Sequence, residues 1–160
     1  VLAVPYDGFK TTFTIQYDLD DLGVQYSSVQ NMYTNYEKQI APARTFCLLS
    51  EIESLEKQGL IKGGNLGNAV IIVDKEIDHE EVQFFKERFG IKFYKQDRGL
   101  YKSQILRFRN EPVRHKTLDL IGDLALLGKP IVGHVTAIKS GHKGNVEFAK
   151  LLRKEFKDQF

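Results

Sequence analysis

One histidine and two aspartates lie four residues apart in RHKTLDLIGD, the segment that runs from Arg114 to Asp123. Residues at this spacing stack on one face of a helix, so His115, Asp119 and Asp123 would form a polar stripe. Gly122 falls on the same side, and the missing side chain there leaves room for a ligand near the backbone. The segment therefore either binds a ligand or satisfies a polar network of its own.

The pair His115 and Asp119 has the residue types of a zinc site. Zinc binds imidazole nitrogen and carboxylate oxygen, and a catalytic zinc usually has three protein ligands and a water. One helix face could present two of those ligands. The same spacing is also common in ordinary helices, where a histidine and a nearby aspartate are solvated or satisfy each other. The spacing leaves both interpretations open.

Two other segments contain further candidates for chemistry. His142 lies in KSGHKGN, which we expect to be a glycine-flanked loop before a helix, and its imidazole could act as a general acid or base. Thr45 in ARTFC could donate its hydroxyl to a developing oxyanion. A solvated loop histidine and a structural threonine before a helix are the ordinary alternatives. We expect His134 to be structural within a strand and His79 to be solvent-exposed at the start of a charged helix.

The glycines of KGGNLGN do not match a phosphate-binding loop. The segment lacks the Gly-x-x-x-x-Gly-Lys-Ser/Thr pattern and does not lead from a strand into a helix. It is therefore a close-packed turn or, alternatively, the wall of a substrate channel.

The composition of the chain limits the classes of protein to which it can belong. Its 160 residues suit one domain, with or without an inserted subdomain, and 42% hydrophobic and 28% charged residues are ordinary for a globular protein. A net charge of +2, without basic clusters interleaved with aromatics, argues against a nucleic-acid partner. No apolar run approaches the roughly 20 residues of a transmembrane segment.

The cysteine content indicates the cellular compartment of the protein, and the first residues indicate whether the chain is part of a longer protein. A single cysteine, Cys47, cannot form an internal disulfide and fits a reducing compartment, so we expect a cytoplasmic protein. The opening VLAVPYDGFK has no methionine and no signal-peptide pattern. It resembles the entry to a domain, so we expect a piece of a longer protein.

The hydrophobic pattern predicts the elements that would position these residues. Alternating apolar residues predict strands in TFTIQYDL and VQYSSV, and apolar runs predict strands in AVIIVD, IKFY, QILRF and IVGHVTAI. QIAPARTF is expected to be extended because of its proline. Helical spacing predicts helices over 48–57, 79–89, about 111–128 and about 145–158. Together, these strands and helices predict an α+β fold. We expect a two-layer α/β sandwich, in which a sheet packs on a helix pair, with an inserted β-α-β element at about 69–108.

Four segments, in order along the chain, resemble the second half of UDP-3-O-acyl-N-acetylglucosamine deacetylase, the zinc amidase of lipid A biosynthesis in Gram-negative bacteria. They are ARTF, GLIKGGNLGNAVIIVD, NEPVRHKTLDLIGDLALLG and KSGH. The resemblance covers about residues 41–152, and the Arg-His-Lys-x-x-Asp-x-x-Gly-Asp run is its most specific part. Some relatives with a similarly long insert are fused to a 3-hydroxyacyl-carrier-protein dehydratase, so the parent protein could be bifunctional.

The resemblance implies a particular domain organisation. Members of the family have two similar domains, each a two-layer sandwich with its own insert. Residues 1–160 resemble the second domain, whose β-α-β insert forms a hydrophobic passage for the acyl chain of the substrate. The apolar residues 69–73 and Leu66 fit the wall of such a passage, although a plain buried strand would have the same composition. The resemblance therefore implies that the first domain lies outside these 160 residues.

The resemblance also implies roles for individual residues. His115 and Asp119 resemble two of the three zinc ligands. His142 resembles the histidine that protonates the leaving amine, and Asp123 the carboxylate that orients this histidine. Thr45 resembles the threonine that helps to hold the tetrahedral intermediate. The positions that resemble substrate-binding residues are Phe46, Lys116, Gly64 and Leu66, with Lys116 near the sugar-phosphate part.

The third zinc ligand and the general-base glutamate of the family have no match in this chain, since both belong to the first domain. The implied activity is metal-assisted removal of acetate from UDP-3-O-(3-hydroxyacyl)-N-acetylglucosamine by the intact protein, and we expect the 160 residues alone to be inactive. One alternative is a non-catalytic module that binds an acylated sugar nucleotide. Another is a complete metal hydrolase in which His142 or His134 completes the metal site.

Overall fold

The computed structural model describes residues 1–19, 22–61, 63–94, 97–101 and 104–159. The elements in chain order are β1 Leu2–Val4, β2 Phe9–Gln16, β3 Val24–Val29, α1 Met32–Gln39, β4 Thr45–Leu48, α2 Leu49–Lys57, β5 Ala69–Val73, α3 His79–Phe89, β6 Gly99–Leu100, α4 Glu111–Ala125, β7 Gly133–Ile138 and α5 His142–Glu155, followed by a short 3₁₀ helix, Lys157–Gln159. Mixed helices and two separate sheets confirm the predicted α+β class.

The chain forms two compact units. The first unit contains Val1–Asp18, Gly23–Ala43 and Arg107–Phe160, and the second contains Leu19–Leu22 and Arg44–Leu106. The second unit thus includes β4 and α2, which lie before the insert predicted at about 69–108. Within that predicted insert, residues 95–96 and 102–103 lie outside the part of the chain that the structure describes. The insert and its boundaries stay a prediction.

The first unit is a sheet covered by helices. Its strand order is β1-β7-β2-β3, with β7 parallel to β2 and the two outer pairs antiparallel. Alternate residues of β2 are buried, as the period of a strand with one covered face requires. Phe13 is opposite Ala137 in this sheet, and both pack in a core that includes Leu120 of α4 and Ala149 of α5. This arrangement agrees with the predicted two-layer sandwich.

The second unit has its own sheet and core. Its strand order is β4-β5-β6, with β4 parallel to β5 and β6 antiparallel to it. The helix predicted over 79–89 is confirmed as α3, because both of its ends carry local signals. Asp78 and Glu81 form a reciprocal capping box at the start, and Gly90 ends the helix in the left-handed conformation with a φ of 68°.

Two predicted strands of the second unit are wrong. IKFY and QILRF do not form strands, and β5 pairs with β4 on one side and with the two-residue strand β6 on the other. The side chain of Gln104 takes the place of further strand pairing: its Oε1 accepts from Ile71 N at 2.8 Å, and its Nε2 donates to Ala69 O at 2.7 Å. Tyr101 N also donates to Ile71 O at 3.0 Å. A side chain thus satisfies backbone groups that the sequence pattern assigned to a neighbouring strand.

The helix α1 has no counterpart among the sequence predictions. Met32 is its only buried residue, so it lacks the apolar stripe by which a helix is recognised in a sequence. The helix predicted at about 145–158 begins earlier, at His142, and ends at Glu155. His142 is therefore the first residue of α5 and not a loop residue.

Candidate functional site

The helix α4 presents the polar stripe that its sequence predicts. Val113, Leu120 and Leu124 are buried on one side of this helix, which fixes its orientation on the sheet of the first unit. The side chains of His115 and Asp119 lie on another side, within reach of each other. An added side-chain carbon at the nearby Gly122 would meet no atom within 4 Å, so the helix surface there is open.

A hydrogen bond to the backbone fixes the orientation of His115. Its Nδ1 lies 3.1 Å from Ala43 O, and Nδ1 must be the donor because a carbonyl oxygen can only accept. In the neutral imidazole the proton is then on Nδ1, and Nε2 carries a free lone pair. This tautomer is the one that ligates a metal through Nε2, with the other nitrogen held by a second group.

The carboxylate of Asp119 faces that lone pair. Its Oδ1 lies 3.4 Å from His115 Nε2, while its Oδ2 accepts from Lys116 Nζ at 3.0 Å. Only 10% of the Asp119 side chain is exposed. Two acceptor atoms this close need either a proton on the imidazole or a cation between them. Two ligands of a tetrahedral zinc with bonds of about 2.0–2.1 Å are about 3.3–3.4 Å apart, so the pair fits one zinc ion.

A second histidine–carboxylate pair lies beside the first. His142 Nδ1 is 2.9 Å from Asp123 Oδ2 and 3.1 Å from Oδ1, so it donates to an ionised carboxylate. The ring of His142 is 68% exposed, whereas the Asp123 side chain is only 14% exposed. His142 Nε2 lies 4.0 Å from Asp119 Oδ1, which brings both pairs into one cluster.

One member of this cluster, Asn145, was not predicted from the sequence. Its side chain is fully buried, and its Nδ2 donates to Asp123 Oδ2 at 2.9 Å. Asn145 follows His142 by three residues, a spacing that places both on one side of a helix. This signal was hidden because the sequence pattern assigned His142 to a loop and began the helix at Asn145.

The other predicted site residues belong to the second unit. Thr45 is exposed at the start of β4, opposite Ala69, and Phe46 is half-buried. Gly64 lines a small apolar cavity of about 40 Å³. Leu66 packs against the hydrophobic core of this unit.

Cys47 also lines the cavity of the second unit, together with Ile61, Phe85 and Phe89. Burial, with a smaller contribution from the charge of Glu51, raises the pKa of its thiol to about 11. The thiol is therefore neutral near pH 7 and behaves as a small apolar side chain. Cys47 is therefore part of the wall of the cavity and does not act as a nucleophile.

The remaining two histidines, His134 and His79, have surroundings of their own. His134 is within β7, as predicted, and its Nε2 lies 2.9 Å from Thr12 Oγ1 with the ring against Tyr6. His79 is exposed at the start of α3, also as predicted. Among the described residues, no group of three or more His, Cys, Asp or Glu side chains is placed to hold a metal ion.

The fold and the cluster define an α+β protein with two side chains suited to one metal ion and an adjacent histidine–aspartate pair. The chain matches the family model "LpxC: UDP-3-O-acyl N-acetylglycosamine deacetylase" over residues 1–90 and 93–154, and it belongs to this family. The resemblance stated from the sequence is thus confirmed. None of the helices in the described residues is long and apolar enough to span a bilayer.

Several curated relatives are similar to the chain over nearly its whole length. It is 43% identical to the bifunctional enzyme LpxC/FabZ of Chlorobaculum tepidum, over 96% of this chain and 34% of the relative. It is 36% identical to the enzyme of the same name from Bacteroides thetaiotaomicron, over 98% of this chain and 34% of the relative. The UDP-3-O-acyl-N-acetylglucosamine deacetylase of Chlamydia pneumoniae is 40% identical over 94% of this chain and 45% of the relative. The chain therefore spans less than half the length of these relatives.

Proposed function

We propose that this chain is part of a cytoplasmic, zinc-dependent deacetylase that removes acetate from UDP-3-O-acyl-N-acetylglucosamine in lipid A biosynthesis. The observation that carries the proposal is the pair His115 Nε2 and Asp119 Oδ1, two acceptor atoms 3.4 Å apart in a family of deacetylases. The hydrogen bond from His115 Nδ1 to Ala43 O supports it, because this bond keeps Nε2 available as a ligand.

His115 and Asp119 are the residues that would hold the zinc ion. Bound there, zinc would act as a Lewis acid on the acetamide carbonyl of the substrate. Lys116 supports the site, since its bond to Asp119 Oδ2 leaves Oδ1 directed towards His115. We further propose that the positive charge of Lys116 attracts the sugar-phosphate part of the substrate.

His142 and Asp123 would handle the proton of the leaving group. Asp123 holds the Nδ1–H of His142, so Nε2 is the nitrogen left to give a proton to the departing amine. A carboxylate in this position also stabilises the charged imidazolium. The exposure of the His142 ring leaves Nε2 accessible to a substrate.

The second unit would bind the reacting carbonyl and the acyl chain. We assign the hydroxyl of Thr45 to donate to the tetrahedral intermediate. Phe46, Gly64 and Leu66 would contact the substrate, with the apolar cavity beside Gly64 accepting part of the acyl chain. Its volume is small, about 40 Å³, so a long acyl chain would enter only in part unless the surrounding side chains move.

The third zinc ligand and the general base would come from a first domain outside these 160 residues. This part of the proposal is supported by the absence of a three-ligand group among the described residues and by the greater length of the relatives. The 160 residues alone are then expected to show no turnover. Activity of the isolated chain near that of the full-length protein would contradict this division.

The test uses the full-length protein that contains this chain, with UDP-3-O-(3-hydroxyacyl)-N-acetylglucosamine as substrate. We expect His115→Ala to lose both bound zinc and deacetylase activity, whereas the control His79→Ala, at an exposed position of α3, keeps both. Full activity of His115→Ala would refute the zinc assignment. Substrate binding without turnover and without zinc dependence would instead support the non-catalytic binding module.

A further inference from the structure

We propose that Asn145 is a positioning residue, which holds the Asp123 carboxylate in the orientation that fixes the ring of His142. The hydrogen bonds that join Asn145, Asp123 and His142 carry this role. Only its kinetic consequence rests on the proposed deacetylase function.

Both ends of the Asn145 amide are engaged. Its Nδ2 donates to Asp123 Oδ2 at 2.9 Å, and its Oδ1 accepts from Ser140 Oγ at 2.7 Å. A half-turn of the amide would place its oxygen against the Asp123 carboxylate, which can only accept, so Asp123 selects one orientation, and the Ser140 hydroxyl donates to the amide oxygen in that orientation. The side chain is also fully buried, and no space is left for an alternative position.

The turn before α5 fixes the outer end of this network. Lys139 has a φ of 51°, a left-handed conformation that is uncommon for a residue with a side chain. Its backbone N donates to Thr14 O at 2.9 Å, which ties the turn to the neighbouring strand. Ser140 follows directly, so its hydroxyl is presented to Asn145 by a constrained backbone rather than by a free loop.

His142 depends on this network because its ring is mostly in solvent. An exposed side chain has several accessible rotamers, and holding one of them costs conformational entropy. Asp123 restrains Nδ1, and Asp123 is in turn restrained at Oδ2 by Asn145. Without the amide donor, the carboxylate can rotate and its Oδ2 loses one of two partners. The chain of bonds from Ser140 through Asn145 to Asp123 therefore ends in the placement of His142 Nε2.

The decisive variant is Asn145→Asp in the full-length protein. It keeps the shape of the side chain but places a carboxylate oxygen against Asp123, where the amide donated. We expect the ¹⁵N signal that marks the Nδ1-protonated tautomer of His142, observed through the carbon-bound ring protons by NMR of the ¹⁵N-histidine-labelled protein, to be lost. We also expect kcat to fall about 10- to 100-fold with little change in KM, the range typical of outer partners of a catalytic group. Ser140→Ala should give a smaller change in the same direction.

The control is Thr117→Val, because Thr117 is equally buried but bonds to Val113 O within α4. It should leave the His142 signal and kcat unchanged even if it lowers thermal stability. An intact His142 signal in folded Asn145→Asp would overturn the proposal, as would a loss of the signal in Thr117→Val. If the wild-type full-length protein has no deacetylase activity, the proposed function fails, but the NMR comparison still decides the role of Asn145.

Discussion

The two units hold their candidate site residues by different means. In the first unit, hydrogen bonds set each polar group, from Ala43 O through His115 to the pair of Asp123 and His142. In the second unit, the candidate residues Gly64 and Leu66 border or pack against apolar side chains, with Phe85 and Phe89 around the same cavity. The difference indicates that the two units are suited to different tasks. A polar network can fix reacting atoms, whereas an apolar wall can yield to a flexible chain.

The largest expected effect tests the polar network of the first unit. Asp119→Ala in the full-length protein should abolish stoichiometric zinc binding and lower kcat/KM by more than about 100-fold, because loss of a mere outer partner already costs about 10- to 100-fold. Zinc content and steady-state kinetics measure both effects. Retention of one zinc per chain with near-normal activity would show that the network is only structural.

A second test asks whether the cavity of the second unit excludes water. With a thiol pKa of about 11 against an ordinary 9.0, Cys47 should have about 100-fold less thiolate near pH 8 and be alkylated correspondingly slowly. The folded state binds the thiol proton more tightly than the unfolded state. The contribution of Cys47 to the free energy of unfolding should therefore be fully present below pH 9 and be lost as the pH rises towards 11. Denaturant titrations of wild type and Cys47→Ala measure this. A wild-type pH dependence identical to that of the variant would contradict a buried thiol.

A third test concerns the packing that supports the apolar wall. Gln104→Leu removes the bonds to Ile71 N and Ala69 O and leaves both backbone groups without these partners. We expect a loss of about 1–3 kcal/mol in the free energy of unfolding, measured by urea titration. The exposed Gln58→Leu, whose bond joins two side chains of one helix, is the control and should change stability much less.

The smallest effect distinguishes two neighbouring glycines. A side-chain carbon at Gly64 would lie 2.8 Å from Ile61 Cγ2, whereas one at Gly63 would meet no atom within 4 Å. Gly64→Ala should therefore displace Ile61 into the cavity and raise KM by up to about 10-fold for a long-acyl substrate. Gly63→Ala should leave KM unchanged. Equal effects of both substitutions would argue that the cavity does not bind the acyl chain.

The sequence predicted those features for which a local pattern is sufficient. The capping residue Asp78 and the terminating Gly90 defined α3, and the four-residue spacing of His115, Asp119 and Asp123 predicted the stripe on α4. Their geometry agrees with that pattern because helix periodicity needs no knowledge of the neighbouring elements.

Features that depend on distant partners were not predictable in this way. Ile91 and Phe93 alternate as in a strand, yet they pack in the core of the second unit without strand pairing. The backbone of β5 is bound by Gln104 and Tyr101 from later in the chain. Asn145 is an uncharged residue at the end of KSGHKGN, and its role depends on contact with Asp123, which lies 22 residues earlier. Such contacts are properties of the folded chain.

The amide of Gln104 also affects whether the edge of β5 is open to strand addition by another molecule. The strand AVIIV that it covers is short, apolar and uncharged, the composition of segments that assemble into intermolecular sheets. One edge of this strand is paired with β4, and the other is closed by β6 and by a side chain. A side-chain amide cannot be extended by the backbone of another molecule, so it blocks strand addition where a longer strand would present a fresh edge. Gln104 therefore closes the part of this edge that β6 leaves unpaired, in addition to being a buried side chain of the second unit.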